Sequence, residues 1–576
     1  MRSLAALLAM SGILMGAQEA PNADAGVRDV TDAGVGGWHR RLGPDYAAAN
    51  PSSADRRKPP LLYQPPSKPC PFARNNGGMT YEIGGPPVKE AGDFSSTQAQ
   101  VLYATESGGS GLDRILVLDM QNKCFSEKPE PPWWGGFRPE PAVQEWREKR
   151  GATPGGPVGI SRGLGTWSNH AVIVFRNGLV ATAGTATSQG THPTFQFPPD
   201  KVPTAVAVTP RNEMALITLF DTRQRKGQLA VIALESCAPN FAHDWHQRYP
   251  LLPSVASYSD MKLLGYVDLP IKAPSAVSGG GNAGGGWLHG SNGQNALPRD
   301  IDLANPDLRA SFVKGNNAGW LSASGFAVVL SRSENKAVFV DLRPLFAGVL
   351  QAYCGSNESW VKTRELGPKP KQWPWTFEAD AALKPVVVAG IDVPKPSCVW
   401  ARTTGGEHAR AFIGCQDGTL LSFKVGGLAT SGAPEPEGIK EAGRMTVGKN
   451  PVWIAHKGTP GGADSGFIVV SRGDRALQWV KFSKDQGTVT RELRDERMVD
   501  PVYAELADTH GIETQIVTVA DFKGHKVINY RCSPVVFATN GGARFGCGPK
   551  GDEEFECGGV MMFPGAPIAV CGTNVN

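Results

Sequence analysis

The most regular feature of the chain is a unit that consists of an apolar stretch, a short polar turn and a second apolar stretch. From residue 99 onward the unit occurs seven times, at 100–120, 171–183, 214–234, 326–342, 410–425, 467–482 and 515–531. Its turns contain Asn-Gly, Asp-Gly, Lys-Gly, Glu-Asn or Gly-Asp, and Gly and Asn accept the positive φ angles of tight turns. Each unit therefore predicts an antiparallel β-hairpin.

Several hairpins follow a proline that opens a short β-branched or apolar run. Such runs begin at Pro203, Pro274, Pro396, Pro451 and Pro501, and the last three prolines are 55 and 50 residues apart. A unit of three or four strands that repeats at about 40–50 residues is typical of a propeller blade. We predict an all-β fold, a seven-bladed β-propeller with four-stranded blades and loop insertions. Two stacked β-sandwiches would explain the strands but not this period.

The two ends of the chain have a different composition. Residues 1–17 combine Arg2, an apolar run and small residues at 16 and 17, which is the layout of a secretory signal peptide. Residues 18–68 lack a hydrophobic period and predict a flexible tail rich in Ala, Gly and Pro. Residues 69–576 are the predicted propeller. The signal-peptide layout leads us to expect an exported bacterial protein, periplasmic or extracellular. Because no apolar run is long enough to cross a bilayer, we expect no transmembrane segment.

Composition agrees with a fold made of many short strands, and charge excludes one class of partner. The 576 residues include 70 Gly and 46 Pro, far above the average share, whereas only 19% are charged. The net charge of +4 is spread evenly, without the basic stripe of a polyanion binder. We therefore expect no nucleic acid as a partner, and the sequence does not identify the protein or surface ligand that it would bind.

The ten cysteines fit an oxidising compartment, in which an even number can pair fully. Cys398 and Cys415 lie on successive predicted strands of one unit and are the best candidates for a bridge within a blade. Four more, Cys532, Cys547, Cys557 and Cys571, lie in the last forty-five residues. The sequence leaves their connectivity open. No CxxC occurs, which excludes zinc ribbons, thioredoxin-type centres and CxxCH haem attachment.

The C-terminal segment is also expected to close the ring. A propeller must join its first and last blades, because otherwise two sheet edges stay open. Short predicted strands at 560–563 and 568–570 lie within the cysteine cluster. We predict that residues 532–576 form a disulfide-rich clasp on the closing blade.

One blade carries a resemblance to a known family. The stretch PTAVAVTPRNEMALITLFDT at 203–222, with QLAVIAL after it, resembles the blades of YVTN-type bacterial propellers. Asn212 keeps the turn of that family, but Glu213 replaces its glycine, and Ile217–Phe220 stands where the naming strand belongs. The resemblance covers about 100–531. It implies seven blades and a group that includes exported surface-layer-like proteins and lactonase-like enzymes, and it implies little about function, because propellers host many activities.

Few residues suggest a site. His243 and His246 set two imidazoles three residues apart, a spacing that suits a transition metal. Asp300, Asp302 and Asp307 offer hard oxygen ligands that suit Ca²⁺, although an ordinary surface loop is the commoner explanation of both groups. If the Pro-led runs are the innermost strands, then Val206, Val399, Ile454 and Ala504 are equivalent, and Arg402 and His456 lie near strand ends at a channel mouth.

The sequence contains no convincing catalytic set. Gly159–Gly163 matches the GxSxG pattern of a nucleophile elbow, but the residues that follow do not predict the helix which that elbow requires. The hypothesis that follows is a non-catalytic exported propeller that binds or scaffolds. The alternatives are a metal-assisted, lactonase-like hydrolase with its site at the channel mouth and, less supported, the propeller subunit of an electron-transfer dehydrogenase.

Overall fold

The structure is a computed structural model, and the part of the chain that it describes begins at Cys70. It describes residues 70–73, 80–83, 99–106, 114–120, 137–138, 157–163, 170–185, 193–236, 249–253, 258–283, 302–456, 465–506, 508–509, 516–531, 535–538, 544–547, 556–562 and 566–575. For the strands before residue 157 and for most residues after 531 it describes the backbone course alone. The predicted signal peptide and tail lie outside these ranges and stay predictions.

Strands dominate the described residues. In chain order they are β1 (Cys70–Ala73), β2 (Thr80–Ile83), β3 (Ala99–Glu106), β4 (Arg114–Met120), β5 (Phe137–Arg138), β6 (Pro157–Ser161), β7 (His170–Phe175), β8 (Leu179–Thr185), β9 (Thr194–Gln196), β10 (Lys201–Val208), β11 (Met214–Asp221), β12 (Lys226–Ser236), β13 (Tyr258–Asp268), β14 (Ala276–Gly281), β15 (Gly325–Ser331), β16 (Lys336–Asp341), β17 (Val386–Asp392), β18 (Pro396–Arg402), β19 (Arg410–Cys415), β20 (Thr419–Lys424), β21 (Glu441–Thr446), β22 (Pro451–Ala455), β23 (Ser465–Ser471), β24 (Ala476–Ser483), β25 (Gln486–Arg494), β26 (Pro501–Leu506), β27 (Asp508–Thr509), β28 (Ile516–Asp521), β29 (Lys526–Arg531), β30 (Val535–Ala538), β31 (Arg544–Cys547), β32 (Glu556–Met562) and β33 (Ala566–Val575). The described helices are α1 (Pro306–Val313), α2 (Arg343–Cys354) and α3 (Asn357–Lys362), with single 3₁₀ turns at Ala381–Leu383, Gly406–His408, Pro436–Gly438 and Arg472–Asp474. None of these helices is long and apolar enough to span a membrane.

All seven predicted hairpins form. They are the antiparallel pairs β3–β4, β7–β8, β11–β12, β15–β16, β19–β20, β23–β24 and β28–β29. In six of them the residue just before the second strand has a positive φ, namely Gly178, Arg225, Asn335, Gly418, Arg475 and His525. Three of these residues are neither Gly nor Asn, so the left-handed conformation costs them energy that a glycine would not lose. Strand pairing on both sides of the turn overrides that cost.

Six four-stranded sheets are blades of a β-propeller, and their strands pair antiparallel except for the short parallel pair β27–β33. Their strand orders are β10-β11-β12-β13, β14-β15-β16-β17, β18-β19-β20-β21, β22-β23-β24-β25, β26-β28-β29-β32 and β27-β33-β3-β4. The innermost strands contact one another around the ring in the order β6, β10, β14, β18, β22, β26 and β33, and β33 contacts β6. The ring is therefore closed, and the sandwich alternative is wrong.

The predicted number of four-stranded blades is wrong. The described residues form six such blades, not seven. The sheet that contains β6, β7 and β8 has five strands, because the outer edge of β8 is shared by two short segments. Residues 179–181 of β8 pair with β9, and residues 184–185 pair with β5, which precedes the whole sheet in the chain. The hairpin pattern of β7 and β8 does not reveal that the outer edge of β8 pairs with two segments, one before the hairpin in the chain and one after it.

The Pro-led runs are the innermost strands, and most share one irregularity. In β6, β10, β18, β22, β26 and β33 the register slips by one residue just after the proline, at Pro157, Pro203, Pro396, Pro451, Pro501 and Pro567. Proline donates no hydrogen bond, so it is tolerated at the start of an edge strand or at a bulge. Both conditions hold here, since each of these strands opens its sheet toward the axis.

The C-terminal segment closes the ring by strand donation. Strand β32, which contains most of the predicted strand 560–563, is the outer strand of the last blade, and β33, which contains 568–570, pairs with β3 near the start of the chain. The C-terminal segment thus takes part in closing the ring, as expected, and it does so through strand pairing. Cys532 lies outside the described residues and the side chains of Cys547, Cys557 and Cys571 are not described, so the disulfides of the clasp stay a prediction.

The bridge predicted between Cys398 and Cys415 does not form. Both side chains are buried free thiols. Cys398 lies opposite Gly414 in the β18–β19 ladder, so Cys415, the next residue, has its side chain on the other face of the sheet. Cys398 packs in the core between this blade and the β22–β25 blade, and Cys415 packs in the core toward the β14–β17 blade. Burial raises the pKa of each thiol to about 12.

Two insertions pack a helical layer on the ring. Helix α1 lies between β14 and β15, and α2 and α3 lie between β16 and β17. A strap at 367–377 in the second insertion crosses β13 of the preceding blade. The Nζ of Lys262 donates to the carbonyl oxygens of Gly367, Lys369 and Gln372 at 2.7–2.8 Å. Burial lowers the pKa of Lys262 to about 8, so at neutral pH the ammonium still supplies the donors that these carbonyls need.

Ion pairs join neighbouring blades near their surface. Arg410 on β19 binds Asp485, in the β24–β25 turn of the next blade, through both carboxylate oxygens at 2.7 and 3.1 Å. Arg472 binds Asp500 in the same bidentate manner at 2.6 and 2.8 Å, and Asp500 precedes the first strand of the following blade. Such pairs fix geometry as well as charge.

Replacing Asp485 by Asn should make the protein less stable at neutral pH by on the order of 1 kcal/mol. The hydrogen bond from Arg410 lowers the pKa of Asp485. Stability from a carboxylate with a lowered pKa is present above its ordinary pKa and is lost as the pH falls through the folded value. The gap between wild type and Asp485→Asn should therefore narrow as urea unfolding midpoints are measured from pH 7 down to 3. Asp392→Asn, which removes an exposed pair with Lys336, is the control. A gap that stays constant with pH would contradict the assignment.

Candidate functional site

A cavity of about 60 Å³ lies on the axis of the ring. Its lining comes from six innermost strands, β6, β10, β14, β18, β22 and β26, and from the residues that directly follow β6, β10 and β22. This is the position at which the sequence placed a channel. Among the described residues the lining comes from these segments, so the character of this part of the cavity depends on the residues that follow each opening proline.

The six innermost strands that line the cavity each pair with a neighbour strand on one side alone, whereas β33 also pairs with the two-residue strand β27. Backbone N–H and C=O groups alternate along the two sides of a strand, so the unpaired side presents donors and acceptors toward the axis. The channel therefore has polar backbone groups at every height, whatever the side chains are. A ligand there is offered both kinds of hydrogen bond.

Two serines tie neighbouring innermost strands together in the same way. Ser161 Oγ accepts a hydrogen bond from the backbone N–H of Val208 on the next strand, at 2.9 Å. Ser278 Oγ accepts one from the backbone N–H of Ala401, also at 2.9 Å. Both serines are four residues after their proline, and both amides are five residues after theirs. Ser161 of the GxSxG pattern is thus a structural link with a counterpart elsewhere in the ring.

One ion pair borders the cavity where the ring is closed. Arg162 Nε donates to Glu505 Oε1 at 3.1 Å, and the two side chains are 1% and 6% exposed. Arg162 follows β6 and Glu505 lies on β26, the two strands that flank the donated strand β33. Each group of a buried carboxylate–guanidinium pair compensates the charge of the other, and a buried charge without its partner would be strongly destabilising. The pair leaves the cavity without net charge from these two groups.

Aromatic rings form one wall of the cavity. Trp453 stacks on Tyr503 with ring centroids 3.9 Å apart, and His456 stacks on Trp400 at 4.5 Å. Trp453 and His456 are on β22 and at its end, whereas Tyr503 and Trp400 belong to the blades on either side. Tyr503 and Trp400 are buried, and Trp453 and His456 are half-buried. Each half-buried ring is therefore held in place by a buried ring behind it.

The opposite wall is built from small residues. Strands β6, β10 and β14 contribute Ser161, Ala207, Val277, Ser278 and Gly279 to the lining. These strands are consecutive in the ring, as are the aromatic strands β18, β22 and β26. The cavity exists because large side chains on one half of the ring face small ones on the other half.

The structure separates the two residues predicted at a channel mouth. His456 lines the cavity, as expected. Arg402 does not, because its side chain is buried and its Nη1 donates to Ser465 Oγ at the start of β23 in the next blade. Of the four residues predicted to be equivalent, Val206, Val399 and Ile454 line the cavity and Ala504 does not.

The predicted metal ligands are not brought together by the described residues. His243, His246 and Asp300 lie outside them, so their metal binding stays a prediction. Asp302 is exposed, and its Oδ1 accepts a hydrogen bond from the backbone N–H of Ala304 just before α1. Asp307 lies in the first turn of α1. Within the described ranges, no three His, Cys, Asp or Glu side chains are grouped in a way that could hold a metal ion.

Comparison with known proteins adds little. No family model and no curated protein sequence matches the chain. Among solved structures, the periplasmic gluconolactonase PpgL of Pseudomonas aeruginosa is 12% identical, with a TM-score of 0.39 over 83% of this chain and 100% of that chain. The β-propeller domain of Cps50 (Swd1) of Myceliophteria thermophila is 9% identical, with a TM-score of 0.33 over 78% of this chain and 98% of that one. Likeness at this level carries no argument about activity.

Ser161→Ala and Ser278→Ala should destabilise the protein by similar amounts, about 1–3 kcal/mol each, because each leaves a backbone amide without its acceptor. Urea unfolding measures the effect, with Ser483→Ala on the exposed end of β24 as the control. A Ser161→Ala variant as stable as wild type would show that the serine is not a structural link.

Proposed function

We propose that this chain is a β-propeller that binds a small ligand in its central channel without catalysing its conversion. The observation that supports the proposal best is the division of the lining into an aromatic wall and a small-residue wall, with polar strand edges between them. Such a combination of apolar surface and a few convergent polar groups is what small-molecule sites offer. His456 and Trp453 would contact the ligand directly.

The polar side chains at the channel have structural partners, which supports binding over catalysis. Ser161 accepts from the Val208 amide, and Arg162 donates to Glu505. A nucleophile requires a base that removes its proton, and a general acid or base requires an accessible proton. The side chains that the cavity does expose, Trp453 and His456, are held by stacking on Tyr503 and Trp400, which suits recognition, and the imidazole of His456 is the group that a hydrolytic function would have to use.

We also propose that the protein is exported and acts in the periplasm or at the cell surface. The support is the signal-peptide pattern of residues 1–17 and the Pro-rich segment that follows it. The metal-assisted, lactonase-like hydrolase is the competing function, since the aspartates near 300 and the histidines near 243 would suit a metal. A Ca²⁺ ion is the metal that the oxygen ligands would favour.

The purified protein should not accelerate hydrolysis of glucono-δ-lactone above its spontaneous rate, with or without added Ca²⁺, because Ser161, the candidate nucleophile among the described lining residues, has a structural role as acceptor for the Val208 amide. A pH-stat measures acid release, and heat-denatured protein is the blank. If the protein accelerates hydrolysis and the acceleration disappears after chelation, the metal-assisted hydrolase is the function and the binding proposal is wrong. Acceleration that survives chelation but disappears in Ser161→Ala would instead make Ser161 a nucleophile.

Protein recovered from the exported fraction of its native host should lack the first 17 residues or a few more, because signal peptidase removes the apolar segment after the small residues. Intact-mass measurement gives the position of the cut. Recovery of the full-length chain from the cytoplasm would overturn the proposed export. It would not affect the proposal that the channel binds a ligand.

A further inference from the structure

From the walls of the channel we infer the chemical class of the ligand, which is an uncharged ring of monosaccharide size with oxygen substituents around its rim. The inference rests on the proposed binding function and adds the properties of the ligand to it. Three independent features of the lining carry it: its charge balance, its aromatic surface and its hydrogen-bonding groups.

Charge balance disfavours ions. Of the described residues that line the cavity, Arg162 and Glu505 carry opposite formal charges and contact each other at 3.1 Å with almost no exposure to solvent, and His456 is a further group that can carry a charge. A charged ligand would lose its hydration in the channel and would find the charges of Arg162 and Glu505 already compensated, which leaves the imidazole of His456 to offset that cost. An uncharged ligand avoids that cost.

The aromatic wall calls for a ligand with a flat or apolar face. Trp453 is half-buried and stacked on Tyr503 at 3.9 Å with an interplanar angle of 22°. Because the ring behind it fixes its orientation, Trp453 presents its exposed surface without losing conformational freedom when a ligand binds. The C–H face of a sugar ring fits such a surface.

The small-residue wall calls for acceptors on the ligand. Ser161 and Ser278 each use one oxygen lone pair to accept a backbone amide, and each hydroxyl retains its own proton for donation. Unpaired backbone groups of the innermost strands add further donors and acceptors. Hydroxyl groups on the ligand both donate and accept hydrogen bonds, so they can pair with the donors and with the acceptors of this lining.

Size limits the ligand to one ring. The cavity measures about 60 Å³, and one water requires roughly 10–15 Å³ on this measure. The space thus corresponds to about five waters, or to one monosaccharide unit that displaces them, and an oligosaccharide would extend out of the channel.

Three probes with the same ring and different charges test the inference: D-glucose, D-glucuronate and D-glucosamine, compared by calorimetric titration at a pH of about 6.5, where the amine is protonated. We expect glucose to bind at least about tenfold more tightly than either charged analogue. Trp453→Phe should keep much of the glucose affinity and Trp453→Ala should lose it. Trp479→Phe, which changes a tryptophan that does not line the cavity, should leave it unchanged.

Changing the ion pair should change the order of the three probes. Glu505→Gln removes the negative charge that contacts Arg162, so glucuronate should gain affinity relative to glucose. Arg162→Gln leaves the charge of Glu505 and should favour glucosamine in the same way. Circular dichroism first establishes that each variant is folded, and if either is not, the order of the probes on the wild-type protein decides.

Each outcome bears on one of the two proposals. Preference of the wild-type protein for glucuronate or glucosamine would overturn the uncharged-ring inference while binding in the channel stands. Glucose binding that is insensitive to Trp453→Ala would overturn the assignment of the ligand to this cavity. Absence of binding by all three sugars would overturn the ligand class, whereas the lactone experiment separately decides between binding and catalysis.

Discussion

The unpaired edge of the innermost strands is the constraint on which the rest of the structure depends. A strand that pairs on one side has a row of free donors and acceptors on the other, and such a row invites pairing with another chain. Here the rows face one another across a narrow axis, and among the described innermost strands β33 is extended on that side, by the two residues of β27. The opening prolines remove one donor from each row, and the bulge after each proline breaks its regularity. The axis is therefore polar, and the prolines and bulges limit its extension as a sheet.

Neighbouring blades have to be held together without continuous strand pairing, and the contacts near the axis show how. Ser161 and Ser278 replace a missing sheet partner by accepting a backbone amide from the next strand. Arg162 and Glu505 reach across the position of β33, the strand that the C-terminus donates, and so join the two blades that flank the closure.

Much of the fold could be predicted because its signals are local. A hairpin is encoded by two apolar runs and the turn between them, and all seven were found in this way. The opening prolines identified the innermost strands. Other features could not be predicted, since they depend on partners distant in the sequence. The outer edge of β8 is completed by segments on both sides of it, Cys398 and Cys415 are assigned to opposite faces by a bulge, and Arg162 meets Glu505 across 343 residues.

The residues of the site could likewise be predicted in part from local sequence, whereas the cavity that they form depends on how the blades are arranged. Counting from each opening proline places Ser161, Ser278, Trp400 and Glu505 at one offset, and His456 one residue further on. That count alone predicts which residues share a level of the channel. Whether these residues leave a cavity depends on the order of the blades around the ring. If aromatic and small residues alternated around the ring, each large ring would fill the space beside a small residue and no cavity would remain. Because the aromatic blades are consecutive, the space that the small residues leave is pooled on one side, and it becomes large enough for a ligand.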